Sequence, residues 1–121
     1  MRDYHKLEVW KRAHLLTLRV YRFTTRFPSD ERFGLVTQMR RAAASAPLNI
    51  AEGAGRPTAG DYARFLGIAA ASLQELLSQL ELSRDLDFGR ANEGDEIRKE
   101  TAELKAMITV LRARIEKDHH D

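Results

Sequence analysis

Apolar positions along this chain recur at spacings of three and four, and no stretch alternates long enough to predict a strand. The clearest seam is Tyr62, Leu66, Ala69, Leu73, Leu76 and Leu80, spaced 4-3-4-3-4. Ile97, Leu104, Ile108, Leu111 and Ile115 keep the same register, with Thr101 filling one slot. Upstream, Val9, Ala13, Leu16, Val20, Phe23 and Phe27 form a third seam, and Leu35, Met39, Ala42, Ala46 and Ile50 a fourth. Turn and cap signals set the boundaries. At "FPSD", Pro28 disfavours helical geometry in Phe27, and Ser29 or Asp30 is suited to cap the second helix. Thr58 with Asp61 resembles a capping box, and Gly89 and Asn92 mark a turn. The pattern predicts helices over about 7–26, 31–54, 59–87 and 95–117. Heptad spacing with short loops makes these an all-α, antiparallel up-down-up-down four-helix bundle, a single domain over 1–121.

Two features exceed what a simple bundle needs. The first helix carries a second apolar seam, Leu7, Trp10, His14, Leu18 and Tyr21, opposite the first. Either another element of the bundle covers it or it is a subunit interface, and the extent of the patch favours oligomerisation. The second helix ends in "APLNIAEGAGR", whose Pro47, Asn49, Gly53 and Gly55 are poor helix formers. Pro47 removes the hydrogen bond to the Ala43 carbonyl and predicts a kink, and the two glycines let the helix stop before Pro57. On a helical projection, Gln38, Arg41, Ser45, Asn49, Glu52 and Arg56 share one sector, mirrored on the third helix by Asp61, Ser72, Glu75 and Gln79. If these helices are antiparallel neighbours, Gln38, Arg41, Ser45, Asn49, Glu52, Ser72 and Glu75 form a structural polar network. In it Arg41 bridges Glu52 and Glu75 and sets the register.

Composition narrows the chemistry. With 121 residues and no Cys, the chain needs no disulfide and has no thiolate for metal or nucleophilic chemistry. Its first dozen residues are charged throughout and no run of 18 apolar residues occurs, so a soluble cytoplasmic protein without a membrane role is expected. "GAGR" lacks the GK[ST] ending of a P-loop, and Ser45 and Ser72 have no His at helical spacing. The only Glu-x-x-His spacing is Glu116 with His119, beside His120 in the tail. No enzymatic activity, cofactor or metal is therefore expected.

Charge is divided unevenly. Residues 1–56 hold eleven Lys/Arg against five Asp/Glu, whereas 57–121 hold nine against thirteen. Either the halves neutralise each other across the fold or a subunit contact, or the first half presents an anion-binding face. Lys11, Arg12, Arg19, Arg22 and Arg26 fall in one sector of the first helix, with Arg40 extending it from the second. These six are the candidate nucleic-acid-binding residues for RNA or DNA. No RNA-binding aromatic signature accompanies them, so reading by shape and charge is expected.

"LEVWKRAHLL", "FPSDERFGLVTQMRRAAASAPLNIAEGAGR" and "YARFLGIAAASLQELLSQLELSRDL" together resemble the four-helix-bundle proteins of intervening sequences in bacterial 23S ribosomal RNA genes, over about 4–115. The accessory variability determinant of diversity-generating retroelements looks like a relative. The resemblance implies a ring-like homopentamer without catalytic activity. For the retroelement relative it implies a basic barrel that binds a reverse transcriptase and nucleic acid. The motif positions carried over are Gln38, Arg41, Asn49, Glu52, Gly53, Ser72 and Glu75; Ala71 departs from the usual Gly. The expected role is a scaffold for RNA or a nucleoprotein, the alternative a protein adaptor such as an accessory subunit of a reverse transcriptase.

Overall fold

The computed structural model describes residues 2–118. Four helices carry the fold: α1 (Glu8–Thr24), α2 (Leu35–Ala54), α3 (Ala59–Asp85) and α4 (Ala91–Asp118), with no strand among the described residues. Each packs on its sequence neighbours, and α1 also packs on α4, so the four close into a bundle. Cross-contacts run antiparallel throughout. Arg12 meets Glu103 while Arg19 meets Glu96; Gln74 meets Lys105 while Glu81 meets Arg98. No described helix is long and apolar enough to cross a membrane.

The predicted seams supply the core, except that Leu111 and Ile115 of α4 are only partly buried against it. Ala13, Val20, Met39, Ala46, Ile50, Leu66, Ala69, Leu73, Leu76, Ile97, Leu104 and Ile108 are fully enclosed. Thr101 is buried among them at no polar cost, because its hydroxyl donates to the Ile97 carbonyl at 2.7 Å. Thr58 caps α3 as expected, accepting from the Asp61 N–H at 3.1 Å.

Two helix starts and the role of one glycine differ from the sequence reading. α2 starts at Leu35 rather than about 31, because Ser29–Glu31 winds as a separate 3-10 turn and Gly34 is the helix cap. The Glu31 carboxylate reaches forward to the Leu35 N–H at 3.4 Å. α4 starts at Ala91 rather than about 95, so Asn92 lies inside it and the reversal is completed by Asp87 (φ 58°) and Gly89 (φ 72°). A side chain at Gly89 would also strike the Phe23 ring at 2.6 Å, so the tight turn and the core beneath it require the same residue. Finally, Gly53 does not end α2. It is buried inside the helix, where a Cβ would lie 2.8 Å from the Phe65 Cβ and 3.2 Å from the Tyr62 carbonyl. It lets α2 and α3 approach closely, and only Gly55 acts as the stop.

Candidate functional site

The face that sequence reasoning singled out is the outside of α1, and the packing of its neighbours splits it in two. The edge toward α4 holds Arg12 and Arg19. Arg12 pairs with Glu103 at 3.2 Å and Arg19 with Glu96 at 3.1 Å and with Glu100. Seven-residue spacing places both arginines on one side of α1. The 4-3 spacing of Glu96, Glu100 and Glu103 builds the matching acidic edge of α4. These two cations are paired within the chain, which is neutralisation of the basic half by the acidic half. Arg40 is occupied as well: its Nε donates to Thr24 Oγ1 at 2.9 Å, an Nη donates to the Tyr21 carbonyl at 3.2 Å, and the guanidinium lies 4.7 Å over the Tyr21 ring. Of the six predicted cations, Lys11, Arg22 and Arg26 are exposed, and no ion pair among the described residues involves them.

The outward edge of α1 is apolar between those free cations. Leu15 is 57% exposed, Leu18 38% and Tyr21 44%, values that core-packed residues of these types never reach. Leu15 was not among the residues expected here; it falls between the two apolar seams and its exposure follows only from how α1 is rotated against α2 and α4. The other end of the second seam is partly covered. A 3-10 turn, Tyr4–Lys6, folds back so that Tyr4 and His5 meet the Trp10 ring edge-on at 4.9 and 5.3 Å, while His14 stacks on it at 4.9 Å. Leu7 and Trp10 are half-buried as a result; His14, Leu18 and Tyr21 stay exposed.

The polar network forms in its centre and not at its margins. Asn49 Nδ2 donates to Ser45 Oγ at 2.9 Å and to the Ser45 carbonyl at 2.8 Å. Ser45 and Ser72 hydroxyls meet across the α2/α3 interface at 2.7 Å, and Ser72 Oγ lies 3.1 Å from the Ile68 carbonyl. The protons can therefore run in one direction, from Asn49 through Ser45 and Ser72 to Ile68. The expected bridge from Arg41 to Glu52 and Glu75 is absent. Gln38, Arg41, Glu52 and Glu75 all point outward, and Glu52 approaches only Arg56, at 3.9 Å. Sharing a sector fixes direction around the helix axis but not distance across an interface, and the small residues of "RAAASA" bring only the short Ser and Asn side chains together. Gln79, expected on the same stripe, is buried with its Oε1 unpaired. Glu116 accepts from Arg112 Nε at 2.8 Å; His119 and His120 lie outside the described residues.

One group was missed. α2 continues unbroken through Pro47, and the Ala43 carbonyl that Pro47 leaves without a donor lies 3.0 Å from the Thr17 hydroxyl of α1. The signal was present in the proline itself: a buried orphaned carbonyl requires a donor from a neighbour, and Thr17 is a hydroxyl on the α2 side of α1, level with Ala43.

The sequence profile of the family described as "23S rRNA-intervening sequence protein" matches residues 5–110. Among solved structures, a protein of unknown function from the S23 ribosomal protein family of Bacteroides thetaiotaomicron aligns with a TM-score of 0.77 at 20% identity. The alignment covers 86% of this chain and 97% of that one. That likeness concerns the fold. No curated protein matches the chain. The profile spans α1, α2, α3 and most of α4, including the Asn49–Ser45–Ser72 link and the glycine contact at Gly53, and the chain belongs to the 23S rRNA-intervening sequence protein family.

Proposed function

We propose that this protein is a non-enzymatic cytoplasmic scaffold that assembles through the outer face of α1 into a ring-like homopentamer and holds RNA or a nucleoprotein on Lys11, Arg22 and Arg26. The observation that carries the reading is the exposed apolar stripe of Leu15, Leu18 and Tyr21. Contiguous exposure of large apolar side chains is costly for a monomer and typical of a surface that a second subunit covers. Repetition of the free cations around a ring multiplies weak phosphate contacts, which gives binding that falls steeply with salt and has little sequence preference. The pentameric number rests on the family resemblance.

A second reading, a protein-only adaptor such as an accessory subunit of a retroelement reverse transcriptase, is favoured by the loss of Arg12, Arg19 and Arg40 to internal contacts. The same two measurements test both. Light scattering is expected to give a mass several times the 13.8 kDa of one chain, and a 13.8 kDa species removes the scaffold reading. Filter retention of structured RNA at low salt is expected for the unmodified protein and lost in Lys11→Glu/Arg22→Glu/Arg26→Glu at concentrations where light scattering shows that variant assembled. Retention by neither form leaves the adaptor. Arg19 is kept out of this variant because reversing it would set like charges against Glu96 and Glu100.

A further inference from the structure

At the end of the bundle where α1 begins and α2 stops, Arg2, Gly55, Arg56 and Pro57 line a cavity of about 570 Å³. Both guanidiniums are held by aromatic rings of α3: Arg2 lies 4.4 Å over Tyr62 and Arg56 lies 4.9 Å over Phe65. One Nη of Arg2 donates to the Arg56 carbonyl at 3.1 Å and approaches the Ala54 carbonyl at 3.5 Å, which ties the arginine to the end of α2. Neither guanidinium has a hydrogen-bonded carboxylate among the described residues. The nearest, Glu52, is 3.9 Å from an Nη of Arg56, beyond hydrogen-bond distance. Arg56 also keeps its Nε buried with no acceptor.

Two arginines thus line one cavity, each guanidinium lying over an aromatic ring and neither hydrogen-bonded to a carboxylate among the described residues. A desolvated N–H without a partner costs stability, and a counter-anion at the open edge of the same guanidinium restores part of it. No acidic residue lines the cavity and both of its charged residues are arginines, so the group it recognises is an anion. Two guanidiniums together suit a tetrahedral dianion, which offers acceptor positions to both, better than a flat carboxylate, which one fork already satisfies. We propose that this cavity binds a phosphate group, either free or carried at the end of a nucleotide chain, with Arg2 and Arg56 as its ligands. The site lies at the opposite end of the bundle from Arg22 and Arg26 and does not depend on them.

The test is a titration of isotope-labelled protein with inorganic phosphate at low salt, followed through the Gly55 and Arg56 amides. Saturable shifts are expected. Loss of one charge-assisted pair in Arg56→Gln should weaken binding about tenfold to a hundredfold. Arg56→Lys, which keeps the charge and loses the fork, should fall between. Arg84→Gln, whose side chain pairs with Asp95 at 3.2 Å near the far end of α3 and does not line the cavity, should bind as the unmodified protein does. The absence of saturable shifts up to about 10 mM phosphate overturns the proposal. Equal binding by Arg56→Gln with an unchanged melting curve does the same. An oligoribonucleotide with a 5′-phosphate that binds more tightly than its 5′-hydroxyl counterpart assigns the site to strand ends; equal binding assigns it to free phosphate or a mononucleotide. Lys11→Glu/Arg22→Glu/Arg26→Glu is expected to retain the phosphate shifts, so this site and the α1 face fail or stand separately.

Discussion

Pro47 and Thr17 depend on each other across two helices. The Thr17 hydroxyl lies 2.8 Å from the Ala13 carbonyl of its own helix and 3.0 Å from the Ala43 carbonyl of α2, and its single proton serves one of them at a time. Thr17→Val keeps the shape and removes the donor that a buried, orphaned carbonyl relies on. Urea denaturation is expected to report a loss of about 1–3 kcal/mol. Thr25→Val, where an exposed hydroxyl donates to the Arg22 carbonyl at the end of α1, should change stability little. Tyr62 supplies a second test at this scale. It is buried, and burial raises its phenol above the ordinary value of 10.0, opposed by the Arg2 guanidinium. The folded state therefore holds the proton more tightly than the unfolded one. Its contribution is intact below about pH 10 and is lost as pH rises beyond it, since the unfolded chain ionises first. Tyr62→Phe should flatten the fall in melting temperature above pH 10 attributable to this group.

At the scale of elements, the seams were legible because a helix buries every third or fourth residue whatever it packs against. All six seam positions of α3 that periodicity selected are buried, and so are all six of the first seam, from Val9 to Phe27. What pairs with what across the bundle was less legible. The stripe Arg12/Arg19 read as a binding face because a single helix does not reveal that Glu96, Glu100 and Glu103 stand opposite; that requires the α1/α4 register. Each exposed pair contributes modestly, and Arg19, flanked by two glutamates and only a third exposed, is the strongest member. Arg19→Glu is expected to lower stability by roughly 1–2 kcal/mol. Adding Glu100→Arg should recover part of that loss, and a double-mutant cycle on thermal unfolding measures the coupling. Additive effects would show that the ladder is mere proximity.

For the whole molecule, the proposed assembly is tested at the outer face of α1. If association protects Leu15, Leu18 and Tyr21, the melting temperature rises with protein concentration, since subunits that bind only the folded state stabilise it by mass action. Leu18→Asp places a charge in the middle of the stripe and should abolish that dependence while leaving the far-ultraviolet dichroism of the dilute protein unchanged. A melting temperature independent of concentration in the unmodified protein would contradict assembly through this face. The family profile, over residues 5–110, takes in all of α1 and with it this stripe.

Periodicity alone determined the helices, their number, their core faces and the antiparallel order, because those follow from 3.6 residues per turn and from loops too short to allow other arrangements. It also located the Ser45, Asn49 and Ser72 link, since small polar residues on a tight helix crossing have few other partners. Only the tertiary structure decided which charges are spent and which are free, that Gly53 is a contact rather than a stop, and that Thr17 completes Pro47. It alone brought Arg2 beside Arg56, 54 positions apart in the chain. Each of these depends on the rotation and register of one helix against another. Those are set by side-chain volumes packed together, and no periodicity within a single helix encodes them.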